Sequence, residues 1–256
     1  MNRQKILVEP FLDGNALRVV LNAPKANVLD SVMMGEINDL LDELRGQESL
    51  KLLCFQGAGP HFSFGAAVEE HVGERARSML GQFHGLFYRL ADLAVPTAAV
   101  VTGRCLGGGM ELATFCGRVF ATPDAILAQP EIQLGVLPPV ASVVFPLRAG
   151  QAAADDLILT GRNITGEEAL RLHLVDDVSP DPRAAMEAWA TRYFAPKSAS
   201  SLRMAWRTSR WHLHRRLRED LPGIEALYLD ELMATFDANE GLASFLEKRS
   251  PAWQHH

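Results

Sequence analysis

Apolar residues along the chain follow two alternating rhythms. "KILVEPF" and "ALRVVLN" are short apolar-rich runs that read as strands, joined around Asp13-Gly14 as a hairpin. Beyond them Met33, Ile37, Leu40, Leu41 and Leu44 recur at helical spacing behind Asp30, a residue suited to cap a helix N-terminus. "LKLLCFQG" (50–57) and "TAAVVTG" (97–103) are apolar runs closed by glycine, the pattern of buried strands. Between them "AGPHFSFGAAVEEH" predicts a loop leading into a helix that runs from the seventies to about Leu93. Gly107 to Cys116 predicts the next helix, and "RVFAT" and "AILAQ" predict short strands. This alternation implies an α/β fold with parallel strands and helical crossovers. After Val140 nearly everything to Lys248 reads as helix. Within that part, Thr165 followed by Glu168 predicts a capping box.

Composition narrows the function classes. The chain has 256 residues, 48% hydrophobic and 22% charged, ordinary for a globular protein of one large domain. A net charge of −6 gives a nucleic-acid partner no support. The basic stretch "RMAWRTSRWHLHRRLR" (203–218) reads as a solvated or subunit-facing helix surface. Cys54, Cys105 and Cys116 lie in apolar segments without CxxC spacing, so reduced core thiols and a cytoplasmic location are expected. No secretory signal and no membrane span is expected. The histidines form no metal-ligand motif, so no metal and no cofactor is expected.

The candidate chemistry sits in "CLGGGMEL" (105–112). Three glycines start a helix poorly, and an acid is out of place among Leu, Met, Ala and Phe. The run completes neither a P-loop nor a dinucleotide fingerprint. A helix N-terminus, however, presents free N–H groups and the positive end of the helix dipole, and glycine admits a ligand atom close to them. A second N–H from the "FGA" turn (64–66) could converge there, making a two-donor oxyanion hole for a thioester enolate. Glu111 falls in the first helical turn, and Glu131 in "QPEIQLGVLP" could face it. Two carboxyls around one carbon skeleton can act as base and acid. Each feature alone has a plainer reading: a packing glycine, a dipole-complementing acid, a surface turn.

In this order, "FSFGAAVEE", "GRCLGGGMELATFC", "QPEIQLGVLP", "LILTGRNITGEEALRLHLVDDV" and "EGLASFLEKRSPAW" resemble the enoyl-CoA hydratase/isomerase (crotonase) superfamily over nearly the whole chain. The resemblance implies a ββα spiral core over 1–195 and a helical lid or trimerisation region over 196–256, assembled as homotrimers or homohexamers. It implies an acyl-CoA substrate, catalytic Glu111 and Glu131, and oxyanion-hole N–H groups at Ala66 and Gly108. "PKANVL" matches a CoA-contacting segment, implying roles for Lys25, Ala26, Val28 and Phe64. Departures occur at Ala67 and Gly117, where many members carry Asp, and in "PPVASVVFPLR" (138–148), where Pro139, Ala141 and Ser142 replace family glycines. Those three, with His84, are expected to shape the acyl pocket. "HFSFGAAVEEH", "FH" and "FATPDAILAQPEI" look closer to the cyclohexa-1,5-diene-1-carbonyl-CoA hydratases of anaerobic benzoyl-CoA degradation. The implied reaction is hydration to 6-hydroxycyclohex-1-ene-1-carbonyl-CoA. The alternatives are a linear enoyl-CoA hydratase, an enoyl-CoA isomerase, or a non-catalytic acyl-CoA- or RNA-binding member.

Overall fold

β1 (Ile6–Phe11) and β2 (Ala16–Leu21) pair antiparallel around the turn at Asp13-Gly14, the hairpin the pattern predicts. They open a computed structural model that describes residues 3–23, 25–73 and 75–256. α1 (Ser31–Glu43) starts where Asp30 accepts from the Met33 N–H at 3.0 Å, and Met33, Ile37, Leu40 and Leu41 are buried. Gly35 sits inside this helix with open space where a Cβ would stand. Gly35→Ala should therefore stabilise the fold by roughly 0.5–1 kcal/mol, read as a raised denaturation midpoint.

The chain then alternates as expected. β3 (Leu52–Gly57) pairs parallel to β2, and α2 (Arg75–Leu93) crosses to β4 (Thr97–Val101), which pairs parallel to β3. β5 (Arg104–Leu106) leads into α3 (Gly108–Phe115), followed by β6 (Arg118–Ala121) and β7 (Ile126–Ala128). α4 (Pro139–Ala149) and α5 (Gln151–Thr160) come next, then β8 (Ile164–Thr165), α6 (Gly166–Arg171) and β9 (Asp177–Val178). The main sheet has six strands in the order β1-β2-β3-β4-β6-β9, all parallel beyond the first hairpin. A second sheet of three strands, β5-β7-β8, branches off it. α7 (Pro182–Tyr193), α8 (Ala199–Ser209), α9 (Trp211–Ala226) and α10 (Phe236–Leu246) complete the chain. No helix among the described residues is long and apolar enough to cross a membrane.

Two local details differ from expectation. Thr165 caps α6 by accepting from the Glu168 N–H at 3.2 Å, but the Glu168 carboxylate pairs with Arg162 at 2.8 Å instead of closing the box. The predicted "basic surface" of 203–218 is partly structural. Arg210 donates to the carbonyls of Phe115 and Cys116, and Arg148 to those of Thr114 and Cys116, so two guanidiniums satisfy the last carbonyls of α3. Trp206, from the same stretch, covers Gly117: a Cβ there would meet the indole at 2.4 Å. A side chain at Gly117 would have to displace the Trp206 ring. All three cysteines are buried and free.

Candidate active site

The turn Ser63–Ala66 is held from two sides. The Leu29 N–H donates to Gly65 O and the Phe64 N–H to Ala26 O, both at 2.9 Å, while the Leu106 N–H at the end of β5 donates to Ser63 O at 2.9 Å. Ser63 Oγ donates to Asn27 O at 2.8 Å and accepts from the Gly65 N–H at 3.1 Å. Buried Asn27 donates its amide to Ala58 O and His61 O, each at 2.9 Å. The segment expected to touch CoA is thus sewn to the turn expected to hold the thioester. Pro24, in that segment, lies outside the described residues.

α3 begins beside this turn. Gly107 takes φ +50° and ψ −127°, a conformation open to glycine, and its N–H donates to Ala128 O at 2.9 Å. Gly109 packs on Ser63, where a Cβ would stand 2.7 Å from the Ser63 Cβ. A Cβ on Gly108 would lie 3.4 Å from the Ala66 nitrogen, so the Ala66 and Gly108 backbones meet at one point. Among the described residues neither N–H is spent on a backbone carbonyl. The three glycines therefore let a helix N-terminus dock on a turn at van der Waals range and leave two donors side by side.

Glu111 is buried in the first turn of α3. Its Oε1 accepts from the Ala141 N–H at 2.7 Å. α4 starts at Pro139 and has no side-chain cap, so the Glu111 carboxylate supplies one, using a free N–H at that helix's positive end. Glu131 enters from the turn Pro130–Leu134, whose first turn it occupies. Its Oε1 accepts from Gln129 Nε2 at 3.1 Å, and its Oε2 is enclosed without a protein partner. Burial pushes both carboxyls up from the ordinary Glu range. Glu111 rises to about 7, with the Ala141 and Val140 N–H groups opposing the rise. Glu131 rises to about 8, with the nearby Glu111 charge adding to burial. The pair titrates together, and the anion is better held at Glu111.

A groove of about 460 Å³ runs to this point, lined by Ala26, Val28, Phe64, Gly65, Ala66 and the Gly107–Gly108 backbone among others. Behind it lies a small chamber of about 20 Å³, walled by Met79, Leu80, Phe83, Pro139 and Tyr228 and by both glutamates. Ala66, Gly108 and Glu131 line both spaces.

The expected residues divide accordingly. Glu111, Glu131, Ala66 and Gly108 converge; Ala26, Val28 and Phe64 line the groove. Lys25 does not: it sits in the turn before Ala26 with φ +100°. Of the four acyl-pocket candidates only Pro139 walls the chamber. The Ala141 contribution is its N–H to Glu111. The Ser142 hydroxyl is turned back onto Pro138 O at 2.9 Å. His84 faces Glu225 at 2.5 Å, and its neighbour Phe83 takes the chamber wall. His71 lines both spaces with Nδ1 bonded to Ala67 O at 2.9 Å. The sequence does not single out Asn27, Gln129 or Tyr228; the polar character of Asn27 and Gln129 beside apolar segments hints at those two, and nothing hints at Tyr228.

Residues 13–256 match the family described as Enoyl-CoA hydratase/isomerase. The chain is 45% identical over 243 residues to a cyclohexa-1,5-dienecarbonyl-CoA hydratase of Thauera aromatica, covering 95% of this chain and 94% of that one. It is 37% identical, over the full length of both, to a protein of Mycobacterium bovis named as a probable enoyl-CoA hydratase. Among solved structures, an enoyl-CoA hydratase of Mycobacterium avium subsp. paratuberculosis shares the fold with a TM-score of 0.87 at 22% identity, covering 99% of this chain and all of that one. The chain belongs to the enoyl-CoA hydratase/isomerase family, as an enzyme of the hydro-lyase type.

Proposed function

We propose that the protein hydrates cyclohexa-1,5-diene-1-carbonyl-CoA to 6-hydroxycyclohex-1-ene-1-carbonyl-CoA, as a step in the breakdown of aromatic acyl-CoA thioesters. The observation that carries this reading is the meeting of two buried carboxyls with two unspent N–H groups at the end of one groove. The thioester oxygen accepts from the Ala66 and Gly108 N–H groups. Glu111, whose anion is supported by α4, takes a proton from water. The water oxygen bonds to the β carbon, and the π electrons move into a dienolate whose charge rests on the thioester oxygen. Glu131, the carboxyl with the higher proton affinity, gives its proton to the distal carbon of the diene. Between turnovers the proton returns from Glu111 to Glu131. No cofactor enters these steps.

A ring substrate is favoured by the likeness to the Thauera relative. The CoA moiety would lie along the groove past Ala26, Val28 and Phe64. Met204, Trp211 and Leu227, large apolar side chains left exposed on the C-terminal helical part, support a homotrimer or homohexamer in which other copies cover them. The test compares cyclohexa-1,5-diene-1-carbonyl-CoA with crotonyl-CoA. The ring thioester should lead in kcat/KM by about tenfold or more. A lead for crotonyl-CoA would assign the enzyme to linear substrates.

A further inference from the structure

α9 does not end in an ordinary turn. After Ala226 the backbone continues through a π-helical turn, Leu227–Glu231, of the kind that re-aims side chains near functional sites. It leaves Leu227 exposed and sends Tyr228 inward, 1% exposed, to the wall of the chamber. The Tyr228 hydroxyl is fully enclosed and has no hydrogen-bond partner in the protein. A second enclosed polar atom without a partner, Glu131 Oε2, belongs to the same chamber, as does the Glu111 side chain. Buried hydroxyls and carboxyls are rarely left unpaired in a finished core. The chamber, at about 20 Å³, has room for one water-sized occupant, and a buried water needs two to four polar partners.

We propose that Tyr228 is a third catalytic residue of the hydration, holding the reacting water in this chamber together with Glu111 and Glu131; the proposal rests on the hydratase reading above. One water hydrogen goes to the Glu111 carboxylate and the other to the Tyr228 oxygen. One of the water's two lone pairs accepts from the protonated Glu131, and the other faces the β carbon. After attack, the same phenol, rotated, donates to the hydroxyl just formed. Burial and both nearby carboxyls push the phenol's ionisation up, so it works as a neutral group.

Tyr228→Phe keeps the ring and removes only the hydroxyl. It should lower kcat about tenfold to a hundredfold, the loss of one hydrogen bond to a reacting atom in a low-dielectric site. KM and the affinity for cyclohexanecarbonyl-CoA, which lacks the reacting double bonds, should stay within about twofold. The melting temperature of the ligand-free variant should not fall, because the lost hydroxyl has no protein partner. An unchanged kcat overturns the role of Tyr228, whatever KM does. So does a lower kcat accompanied by lost affinity for the saturated thioester and a lower melting temperature, which marks a packing role. If the wild-type protein hydrates neither the ring dienoyl-CoA nor crotonyl-CoA, the hydratase reading falls and this role falls with it.

Discussion

Glu111→Gln and Glu131→Gln should each lower kcat by about two to four orders of magnitude while leaving acyl-CoA binding nearly intact. Each glutamine keeps the shape of its site but cannot carry a proton. The two losses should not add: once the base is gone, the acid has little left to assist, so the double variant should resemble the worse single variant. Stability separates this loss from misfolding, and the sign follows from the raised pKa values. Burial lifts both carboxyls above the ordinary Glu range, so the folded state keeps protons that the unfolded chain has already released. The contribution of these groups to stability is full at low pH and is lost as pH climbs through about 7 and 8. Glutamine does not titrate. Both variants should therefore gain stability relative to the wild type as pH rises from the ordinary Glu range to about 7 and 8, and level off above, a trend that denaturant unfolding at several pH values would read.

Gly107→Ala should cost about a hundredfold or more in kcat/KM with the fold retained, because small displacements at a reacting centre have effects of that size. A Cβ here would stand 2.7 Å from Glu131 Oε1. That oxygen ends a flexible side chain, so the protein accommodates the methyl by moving the carboxyl away from its working position. The backbone at φ +50° and ψ −127°, outside the left-handed helical basin, adds strain of about 1–3 kcal/mol for a residue with a Cβ. Activity and denaturation measured together should show a large catalytic loss beside a small loss of stability. Near-wild-type activity would mean that the position of Glu131 is not critical.

Much of this architecture is legible in the chain. Asp30 capping α1, the hairpin at Asp13-Gly14 and the buried strands follow from local patterns that the structure repeats. The convergence of Glu111, Glu131, Ala66 and Gly108 is legible because the order of glycines, acids and turn residues resembles the enoyl-CoA hydratase/isomerase family; each feature alone has a plainer reading. What periodicity could not reach is of four kinds. β7 falls in "AILAQ", read as a strand, but β5, β8 and β9 are only two or three residues long, too short for any repeat to register, and β8 and β9 lie in a stretch that reads as helix. Phe83 and His84 are neighbours on α2, and a rotation of about 100° per residue decides which one faces the substrate. The Glu111–Ala141 bond joins residues 30 apart in sequence. That bond also changes the meaning of "PPVAS": the segment holds the Glu111 carboxylate, and of its three candidates only Pro139 walls the chamber. Tyr228 depends on one irregular turn in a long helix, which composition does not encode.

The central claim is that one carboxyl works ionised while the other works protonated. The pH dependence of kcat/KM for the ring dienoyl-CoA tests it most directly. Below the lower of the two coupled pKa values both groups carry protons and no base remains; above the higher both are ionised and no acid remains. A bell with its maximum between about 7 and 8 is expected, with the loss of one limb in each single glutamine variant. A wild-type profile that stays flat from pH 6 to 9, or glutamine variants that keep both limbs, would contradict it.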